Sequence, residues 1–330
     1  MLDIYFETDY GRLHEKVEGG VCEVYDYRNP TGRVRHMFIR RKVPISIDDT
    51  VYYDLITPYE YGGPVILECE EGERAKLVGE FEAAFGRYCR ENNIVSEFVR
   101  FHPLIDNARD FQGCYQVSYS RSTVGTNLKD YEDPFMDEFS KSARRVIRRA
   151  LRAGVEHRVI ETPEDLGTLQ KIYYETMDRN RASDFYYFGD EYFADCVRLL
   201  RKNLVLVEAV YQGKVIAAGL YFAYKPFIHA HLSGTLTDYL YLSPAYVLRY
   251  AMMLWGKERG YDLIHHGGGT TRSKNNSLYR FKKRFGKNTD FAFYVGKRVW
   301  NEEVYRKLCA VQRVPVERGF FPAYRAVLRG

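Results

Sequence analysis

The sequence lacks paired cysteines. Its six cysteines lie far apart along 330 residues, and none belongs to a C-x-x-C motif. Widely spaced single cysteines are typical of reduced, mostly buried thiols, so we expect neither a disulfide framework nor a zinc site built on cysteine, as in a cytosolic protein. The cysteines are Cys22, Cys69, Cys89, Cys114, Cys196 and Cys309.

Long apolar runs are also missing. No stretch of about 18 apolar residues is present, so the sequence predicts no transmembrane helix. The first ten residues, M-L-D-I-Y-F-E-T-D-Y, lack the basic region and the apolar run of a signal peptide. We therefore expect a cytoplasmic protein, in which any contact with a membrane surface would come through a lipid-linked substrate.

Several common catalytic motifs are absent. There is no G-x-x-x-x-G-K-[ST] phosphate loop, no G-x-G-x-x-G dinucleotide motif and no G-x-S-x-G nucleophile turn. His265 and His266 are adjacent, whereas His229 and His231 are two residues apart. Alternate residues of a strand face the same side, so only His229 and His231 would share a face, and no third ligand is evident. We expect no metal and no bound cofactor.

Positive charges only slightly outnumber negative charges. Forty-nine Lys and Arg against 44 Asp and Glu leave a net charge of +5, which neither requires nor excludes a nucleic-acid partner. Hydrophobic residues make up 45% of the chain and charged residues 28%, which is a globular composition. The chain is long enough for two domains. Its 29 tyrosines and 20 phenylalanines predict an aromatic-rich core, with some rings available to contact a ligand.

The two halves of the chain show a weak internal repeat. In each half, strand patterns and an aromatic, Gly-containing loop precede a long helix. That helix leads into a strand that ends at histidine, in F-V-R-F-H-P and in L-I-H-H-G-G. The pattern predicts a duplicated mixed α/β unit. We place domain 1 at residues 1–140 and domain 2 at 141–311, and we expect segment 312–330 to pack on domain 1.

A strongly basic helix is predicted after Asp133-Pro134, which would form its N-cap and first turn. The sequence K-S-A-R-R-V-I-R-R-A-L-R-A-G places basic side chains in two rows at a spacing of four residues, with almost no acid between them. Such a surface suits the phosphates of a nucleic acid or of another polyphosphate, and a solvated helix face is the alternative. The rows are Lys141, Arg145 and Arg149, and Arg144, Arg148 and Arg152.

The segment 263–286 combines groups that could perform chemistry. A short apolar strand ends in L-I-H-H-G-G-G, a polar loop follows, and a brief helix carries S-L-Y-R-F-K-K-R-F. Three successive glycines leave bare backbone that a ligand or another part of the chain can approach. A serine or asparagine before Leu278 can cap the helix. Its periodicity places Leu278, Phe281 and Phe285 on one face, beside Lys282.

These groups suit acyl transfer to an amine. The attacking amine must lose a proton, to a histidine or to the substrate itself. The carbonyl oxygen gains negative charge, which a lysine or backbone N–H groups can stabilise. The histidines at the strand ends, the tyrosines, the glycines and the helix lysine supply these functions.

The strand, the glycine pair, the polar loop and S-L-Y-x-F-K together resemble the Fem-type (FemABX) peptidyltransferases, and the resemblance extends over most of the chain. It implies a mixed α/β fold of two GNAT-like domains in tandem, each a mixed sheet flanked by helices. It also implies transfer of an amino acid from aminoacyl-tRNA to an amine of a peptidoglycan-precursor-like peptide.

The resemblance assigns roles to individual residues. It implies that Phe281 and Lys282 face the acceptor end of the tRNA, with Lys282 stabilising the oxyanion. Lys16, in H-E-K-V-E-G-G, is similar to a precursor-binding lysine of the family. His102, in V-R-F-H-P, lies where relatives can carry an aspartate considered as the base.

Further substrate contacts follow from the same resemblance. His231 and Tyr192 lie at or near positions of substrate-binding tyrosines. Phe188 stands where an arginine for a substrate phosphate would be expected, so Arg181 or Arg179 would take that role only with a shifted loop. In this hypothesis the basic rows contact tRNA phosphates, chiefly through Arg144, Arg145, Arg148 and Arg149.

Two other functions remain open. An acyl-CoA-dependent GNAT N-acyltransferase acting on a sugar or peptide amine, with acetyl-CoA as the donor, would have a similar fold. However, the turn L-T-D-Y-L-Y-L-S-P-A-Y lacks the glycines with which such enzymes bind pyrophosphate at a helix N-terminus. A non-catalytic module that binds tRNA or a cell-wall precursor is the other alternative. The intact F-K-x-x-F sequence around Lys282 argues against it.

Overall fold

The computed structural model describes residues 2–47, 49–316 and 319–329. It divides the chain into two compact units. Unit 1 comprises Met1–Ser120 and Phe293–Gly330, and unit 2 comprises Arg121–Ala292.

These divisions differ from the predicted ends of domain 2 at residues 141 and 311. The reason is strand pairing: residues 123–127 pair with a strand of unit 2, and residues 295–299 pair with a strand of unit 1. Unit 1 is therefore discontinuous in sequence.

The described residues form twelve strands and eleven α-helices. The strands are β1 (Val21–Asn29), β2 (Gly32–Lys42), β3 (Tyr53–Ile56), β4 (Val65–Cys69), β5 (Ile94–Arg100), β6 (Gln116–Asn127), β7 (Glu156–Glu161), β8 (Leu204–Tyr211), β9 (Lys214–Tyr224), β10 (Phe227–Thr235), β11 (Leu263–Gly268) and β12 (Asp290–Val299). The helices are α1 (Thr8–Leu13), α2 (Glu15–Glu18), α3 (Arg74–Glu91), α4 (Asn107–Asp110), α5 (Pro134–Asp137), α6 (Lys141–Arg152), α7 (Gly167–Asn180), α8 (Asp190–Leu200), α9 (Pro244–Glu258), α10 (Ser277–Lys282) and α11 (Glu302–Val311).

Unit 1 is a mixed sheet covered by an amphipathic helix. Its strands follow the order β1-β2-β3-β5-β12, and β4 also pairs with β2. β3 and β5 are parallel, whereas β1, β2 and β3 pair antiparallel. Helix α3 buries Leu77, Phe81 and Phe85 in the core of this unit. Its apolar residues recur at helical spacing, which is why the sequence predicts this helix well.

Unit 2 is a second mixed sheet, in the order β6-β11-β10-β9-β8-β7. β10 and β11 are parallel, and the other neighbours are antiparallel. Helices α6 and α9 contribute Ile147, Leu248 and Met252 to its core. No helix among the described residues is both long and apolar enough to cross a membrane.

The basic region contains two helices where the sequence predicts one. Asp133 caps the short helix α5, because its carboxylate accepts from the N–H of Met136 at 3.2 Å. Ser140 then caps α6 separately by accepting from the N–H of Ala143 at 3.2 Å. Ser140 starts a new helix and does not continue α5, because its hydroxyl accepts a hydrogen bond from an N–H group that has no partner within the helix.

Candidate functional site

Helix α10 presents Lys282 in the second half of unit 2. Asn276 caps this helix by accepting from the N–H groups of Leu278 and Tyr279, both at 3.1 Å, as the sequence predicts. The apolar face that the periodicity predicts is only partly buried. Leu278 is 40% exposed, whereas Tyr279 is buried and its hydroxyl donates to Asp290 at 3.0 Å. Tyr279 takes this place because its ring packs inward while its polar end still has an acceptor.

The three glycines before α10 fit the chain against itself. Gly267 has φ of +71°, a conformation that other residues rarely adopt. A Cβ on Gly268 would lie 2.8 Å from the carbonyl oxygen of Ser122, and one on Gly269 would lie 2.4 Å from Oδ1 of Asn276. Gly268 and Gly269 are therefore required because other parts of the chain lie too close for a side chain. The sequence left open whether a ligand or the chain itself approaches these glycines, and the structure shows the chain.

Lys282 is tied to the end of β11. Its half-buried Nζ donates to the carbonyl oxygen of Gly268 at 2.9 Å. The neighbouring ring of Phe281 packs at right angles to Tyr246, 5.4 Å between ring centroids, and lies 5.1 Å from Phe285. The ammonium group therefore has a fixed position at the strand end, as an electrophilic group requires.

Two β-bulges in this unit change the direction in which a histidine side chain points. On β10, Ala230 and Leu232 face consecutive residues of β9, so His231 is the inserted residue. On β11, His265 and Gly267 face consecutive residues of β6, so His266 is the inserted residue. Bulges are frequent next to active sites because they turn a side chain away from strict alternation. The alternation used to pair His229 with His231 on one face therefore does not hold here.

His266 is a neutral histidine of defined tautomer. The hydroxyl of Thr126 donates to the carbonyl oxygen of Phe285 at 2.6 Å, so it must accept from Nε2–H of His266, 2.8 Å away. Burial, and then the charges of Arg249 and Lys282, hold the pKa of His266 well below its usual range. The other ring nitrogen, Nδ1, is buried and has no hydrogen-bond partner among the described residues.

Tyr192 and His231, both expected to bind substrate, lie together in unit 2. The Tyr192 hydroxyl and Nε2 of His231 are 2.7 Å apart. Phe188 stacks on Tyr192 with ring centroids 4.3 Å apart, and Phe222 lies 4.5 Å from His231. The aromatic residue at 188 thus supports the tyrosine ring, in a place where the resemblance would put an arginine.

The expected arginine replacements differ in their surroundings. Arg179 is engaged by the protein itself, since it donates to the carbonyl oxygen of Thr235 at 2.9 Å and to the Thr237 hydroxyl at 2.9 Å. Arg181 is exposed just after α7 with φ of +49°. Of the two, Arg181 has the side chain that is available to a ligand.

In unit 1, His102 is fully buried beside Asp3. Nδ1 of His102 accepts from the backbone N–H groups of Leu104 and Ile105, both at 3.2 Å, so the ring proton lies on Nε2. Nε2 in turn faces Oδ2 of Asp3 at 3.0 Å. This geometry favours a positioning role for His102, because both ring nitrogens are already engaged. Lys16 is exposed on α2.

The two basic rows of α6 have different environments. Arg144 donates to the carbonyl oxygens of Met136 and Phe139, at 2.7 and 2.8 Å, and Arg148 lies over the ring of Phe135. Arg144 and Arg148 therefore stabilise the preceding turn, although Arg148, like Arg152, is still exposed. The other row is exposed, and none of its members forms an ion pair with a described residue; it consists of Lys141, Arg145 and Arg149.

The exposed row begins where α10 ends. The N–H of Ser140, the cap of α6, donates to the carbonyl oxygen of Arg284 at 2.8 Å. The N–H of Lys287 donates to the carbonyl oxygen of Glu138 at 2.8 Å. Backbone hydrogen bonds therefore join the start of α6 to the segment that directly follows α10.

Three residues of this arrangement escape sequence reasoning. Asp3 and Thr126 have no local pattern that marks them, since their partners are distant in sequence. Arg249 does carry a signal: it is the one charged residue in the run P-A-Y-V-L-R-Y-A-M-M-L-W of α9. A lone charge inside an apolar helix pattern indicates a buried polar contact.

Comparisons with known proteins show which proteins share this fold. A family model described as an acetyltransferase (GNAT) domain matches residues 137–283. The crystal structure of FemX has a TM-score of 0.70 at 12% identity, covering 92% of this chain and 94% of that one. A tandem GNAT protein from the clavulanic acid biosynthesis pathway has a TM-score of 0.51 at 10% identity, covering 84% of this chain and 83% of that one.

One similar sequence comes from Weissella viridescens. Its UDP-N-acetylmuramoylpentapeptide-lysine N(6)-alanyltransferase is 26% identical over 180 residues, which is 52% of this chain and 51% of that protein. The matched part thus spans about half of that relative. The fold is that of a tandem GNAT-like protein of mixed α/β class, which confirms the predicted architecture. Within that class, the chain is similar in sequence to the Weissella alanyltransferase and in fold to FemX.

Proposed function

We propose that this protein is a Fem-type N-acyltransferase that moves an amino acid from aminoacyl-tRNA to an amine of a peptidoglycan-precursor-like peptide. The observation that carries the proposal is the fixed ammonium group of Lys282, 2.9 Å from the carbonyl oxygen at the end of β11. The sequence similarity to the Weissella relative, which is named as a lysine alanyltransferase, supports the reaction class.

The reaction forms one bond and breaks one. The acceptor amine attacks the ester carbonyl carbon of the aminoacyl group, and the carbonyl oxygen becomes an oxyanion. Lys282 stabilises that charge, for which a preorganised cation in a half-buried site is well suited. The intermediate then expels the ribose oxygen, which takes up a proton as the amide forms.

The proton lost by the amine can pass to His231 or to the leaving ribose oxygen itself. His231 is half-buried and is oriented by the Tyr192 hydroxyl at 2.7 Å, so its ring is held in place for an exchange of protons. In unit 1, His102 has a positioning role, with its Nε2 held 3.0 Å from Oδ2 of Asp3. Lys16, exposed on α2, serves the anionic part of the acceptor.

The exposed row on α6 supports tRNA as the donor. Lys141, Arg145 and Arg149 have side chains open to solvent, and α6 starts beside the end of α10. A donor whose ester lies at Lys282 would therefore have a basic surface next to it for its phosphates.

A second candidate is an acyl-CoA-dependent N-acyltransferase. The match of residues 137–283 to a model described as an acetyltransferase domain favours it. Against it, the turn before α9 is a glycine-free 3₁₀-helix, Thr237–Leu242, and Pro244 at the start of α9 has no N–H to offer a pyrophosphate.

Mass spectrometry of the acceptor tests the proposal. The protein is incubated with a lysine-containing precursor peptide and tRNA charged by a mixture of synthetases. We expect the peptide to gain the mass of one amino-acid residue, and uncharged tRNA should give no product. The proposal is wrong if no charged tRNA modifies the peptide whereas acetyl-CoA adds an acetyl group.

A further inference from the structure

A groove in unit 1 is lined by residues that have no part in the candidate functional site. It lies between helix α3 and the end of β12 and has a volume of about 400 Å³. Sites for small molecules usually have volumes of about 300–1,000 Å³, so one such molecule would fit. We call it the α3 groove; its charged lining residues are Arg87, Arg90, Arg298 and Glu82.

Two glycines of α3 line the groove, and only one of them is explained by packing. Glycine inside a helix is destabilising relative to alanine, so its presence there calls for a reason. At Gly86 the reason is Trp300, because a Cβ would lie 3.3 Å from Cζ3 of that ring. At Gly79 no atom of the described residues outside the helix lies within 4 Å of the Cβ position. Gly79 therefore leaves open space in the groove that the chain itself does not fill.

The lining has more positive than negative charge. Nη2 of Arg298 lies 2.8 Å from Oε1 of Glu82, and the guanidinium carbon of Arg298 lies 5.0 Å from the centre of the Trp300 ring. Arg87 and Arg90 are exposed, and neither side chain forms an ion pair or a hydrogen bond with a residue that the structure describes. Three guanidinium groups thus share one carboxylate, which leaves two positive charges unbalanced.

Helix capping does not account for these two arginines. Basic side chains in the last turn of a helix often bond to its free carbonyl groups. On α3 this role belongs to Asn92, whose side-chain amide donates to the carbonyl oxygen of Tyr88 at 2.8 Å. Nη1 of Arg90 instead lies 3.7 Å from the Cβ position of Gly86, and both residues line the groove. Its guanidinium is therefore turned toward the groove and is available to a ligand.

The end of β12 supplies an apolar wall of fixed geometry. The indole N–H of Trp300 donates to Oε2 of the buried Glu97 at 3.1 Å, and its backbone N–H donates to the carbonyl oxygen of Val95 at 2.8 Å. Glu97 also accepts from the hydroxyl of Tyr115 at 3.2 Å. These bonds hold the Trp300 ring in place beside Val299, which lines the same groove.

We propose that the α3 groove binds a small organic phosphate. The phosphate group would lie at Arg87, Arg90 and Arg298, because the planar fork of a guanidinium donates two parallel hydrogen bonds to phosphate oxygens. The carbon skeleton would lie against Val299 and Trp300, as the apolar part of a ligand does in most small-molecule sites.

A compact ligand suits the groove better than a nucleic acid. Acidic residues stand among the arginines on the same helix, at Glu82 and Glu91. A longer polyanion would meet these like charges, whereas a single phosphate group would not have to. The site shares no residue with the proposed transfer reaction, so the inference does not depend on that function.

The fluorescence of Trp300 provides a local measurement. The chain has two tryptophans, so Trp255→Phe leaves Trp300 as the one remaining. In this background, fluorescence is followed while phenyl phosphate is added at fixed ionic strength. Phenyl phosphate is the probe because it combines a phosphate group with a flat apolar group. Phenol and inorganic phosphate, which each lack one of these groups, are titrated in parallel.

We expect phenyl phosphate to bind roughly 10-fold or more tightly than either reference ligand. Arg87→Gln with Arg90→Gln should weaken its binding by about 10-fold or more, as for loss of charge-assisted hydrogen bonds. The control, Arg306→Gln with Lys307→Gln on α11, removes the same charge from unit 1 and should leave binding unchanged.

A second variant fills the groove without altering charge. Gly79→Leu places a good helix former at an exposed position, so the fold should be kept, and its side chain should block the probe. Thermal melting of each variant checks that it is folded. Loss of binding in Gly79→Leu supports the site even if the arginine variant is unfolded.

Several results would overturn the inference. These are the absence of saturable binding of phenyl phosphate, equal losses in the arginine variant and the control, and binding of phenol or inorganic phosphate as tight as that of the probe. An acceptor-stem RNA hairpin that alters Trp300 fluorescence when phenyl phosphate does not would assign the groove to nucleic acid instead. Transfer from charged tRNA should be unchanged in Gly79→Leu, so failure of this site would leave the proposed function standing.

Discussion

Lys282 carries the chemical argument at the scale of single residues. Replacing it with alanine removes the cation that faces the strand end, so kcat should fall by about 10²–10³, as for loss of one oxyanion-stabilising donor. KM for the amine acceptor should change little. Steady-state kinetics of Lys282→Ala, with exposed Lys202→Ala as the control, measure both. Turnover equal to that of the wild type would refute the assigned role.

Gly286 tests whether the chain's own packing explains the glycines. A Cβ there would lie 1.8 Å from the carbonyl oxygen of Gly125. Gly286→Ala should therefore lower the free energy of unfolding by about 1–3 kcal/mol, the usual cost of overpacking. Gly79→Ala is the matched control, since no atom lies within 4 Å of its Cβ, and it should leave stability unchanged or higher. Urea denaturation of both variants measures the difference. Equal unfolding midpoints for Gly286→Ala and Gly79→Ala would contradict the close packing at Gly286.

His266 predicts a pH dependence of stability. Its pKa is lowered in the folded chain by burial, and then by Arg249 and Lys282. In the unfolded chain it is about 6.5. Below that pH the unfolded state binds a proton that the folded state does not, so stability falls as pH falls, by up to about 1.4 kcal/mol per pH unit.

The matched variant is His266→Gln, whose amide can still donate to Thr126 but does not titrate. Between pH 7 and pH 5 the free energy of unfolding of the wild type should fall more than that of the variant, by about 1–2 kcal/mol. Denaturant titrations at each pH give the comparison. Parallel curves would show that His266 contributes nothing to the pH dependence.

The sequence predicts the residues that follow a local pattern and misses those that depend on tertiary contacts. The Asn276 cap and the buried Phe285 follow from local spacing. The burial of Tyr279 in place of Leu278 depends on Asp290, eleven residues on, which accepts its hydroxyl. Asp3 and His102 are 99 residues apart in the sequence, so no local motif predicts their contact.

At the scale of elements, α6 is the basic helix to test. Its exposed row should contact phosphates, so Arg145→Glu with Arg149→Glu should weaken tRNA binding and flatten its dependence on salt. For each phosphate that the variant no longer binds, the slope of log K against log salt should decrease by about 0.7–0.9. Binding titrations at several salt concentrations measure the slope. In the control variant the charges of Arg306 and Lys307, on α11 of unit 1, are reversed. An equal loss of tRNA binding in that variant would show that the effect comes from net charge and not from the exposed row of α6.

Helices and strands with strong periodicity are predictable, and irregularities within them are not. Helix α3 follows directly from its apolar spacing. The bulges at His231 and His266 do not, because an inserted residue leaves no mark in composition and is defined by the neighbouring strand. The separate caps at Asp133 and Ser140 were both visible as residues, but the sequence does not say which of them starts the long helix.

At the scale of the whole molecule, a duplicated mixed α/β architecture is predictable because each half repeats the same order of patterns, and the family resemblance implies that both halves are GNAT-like. The exact extent of each unit is not, because unit 1 takes its last strand and helix from residues 293–330. Strand pairing between distant segments sets this division, and pairing partners cannot be read from either segment alone.

The central claim is that the acyl donor is a charged tRNA. The direct measurement is a competition in which the protein receives an amine acceptor, aminoacyl-tRNA labelled with ¹⁴C in its amino acid, and acetyl-CoA labelled with ³H in its acetyl group. We predict that the isolated product carries ¹⁴C, and that ribonuclease treatment of the donor mixture abolishes it. A product that carries only ³H would contradict the account and establish coenzyme A as the carrier.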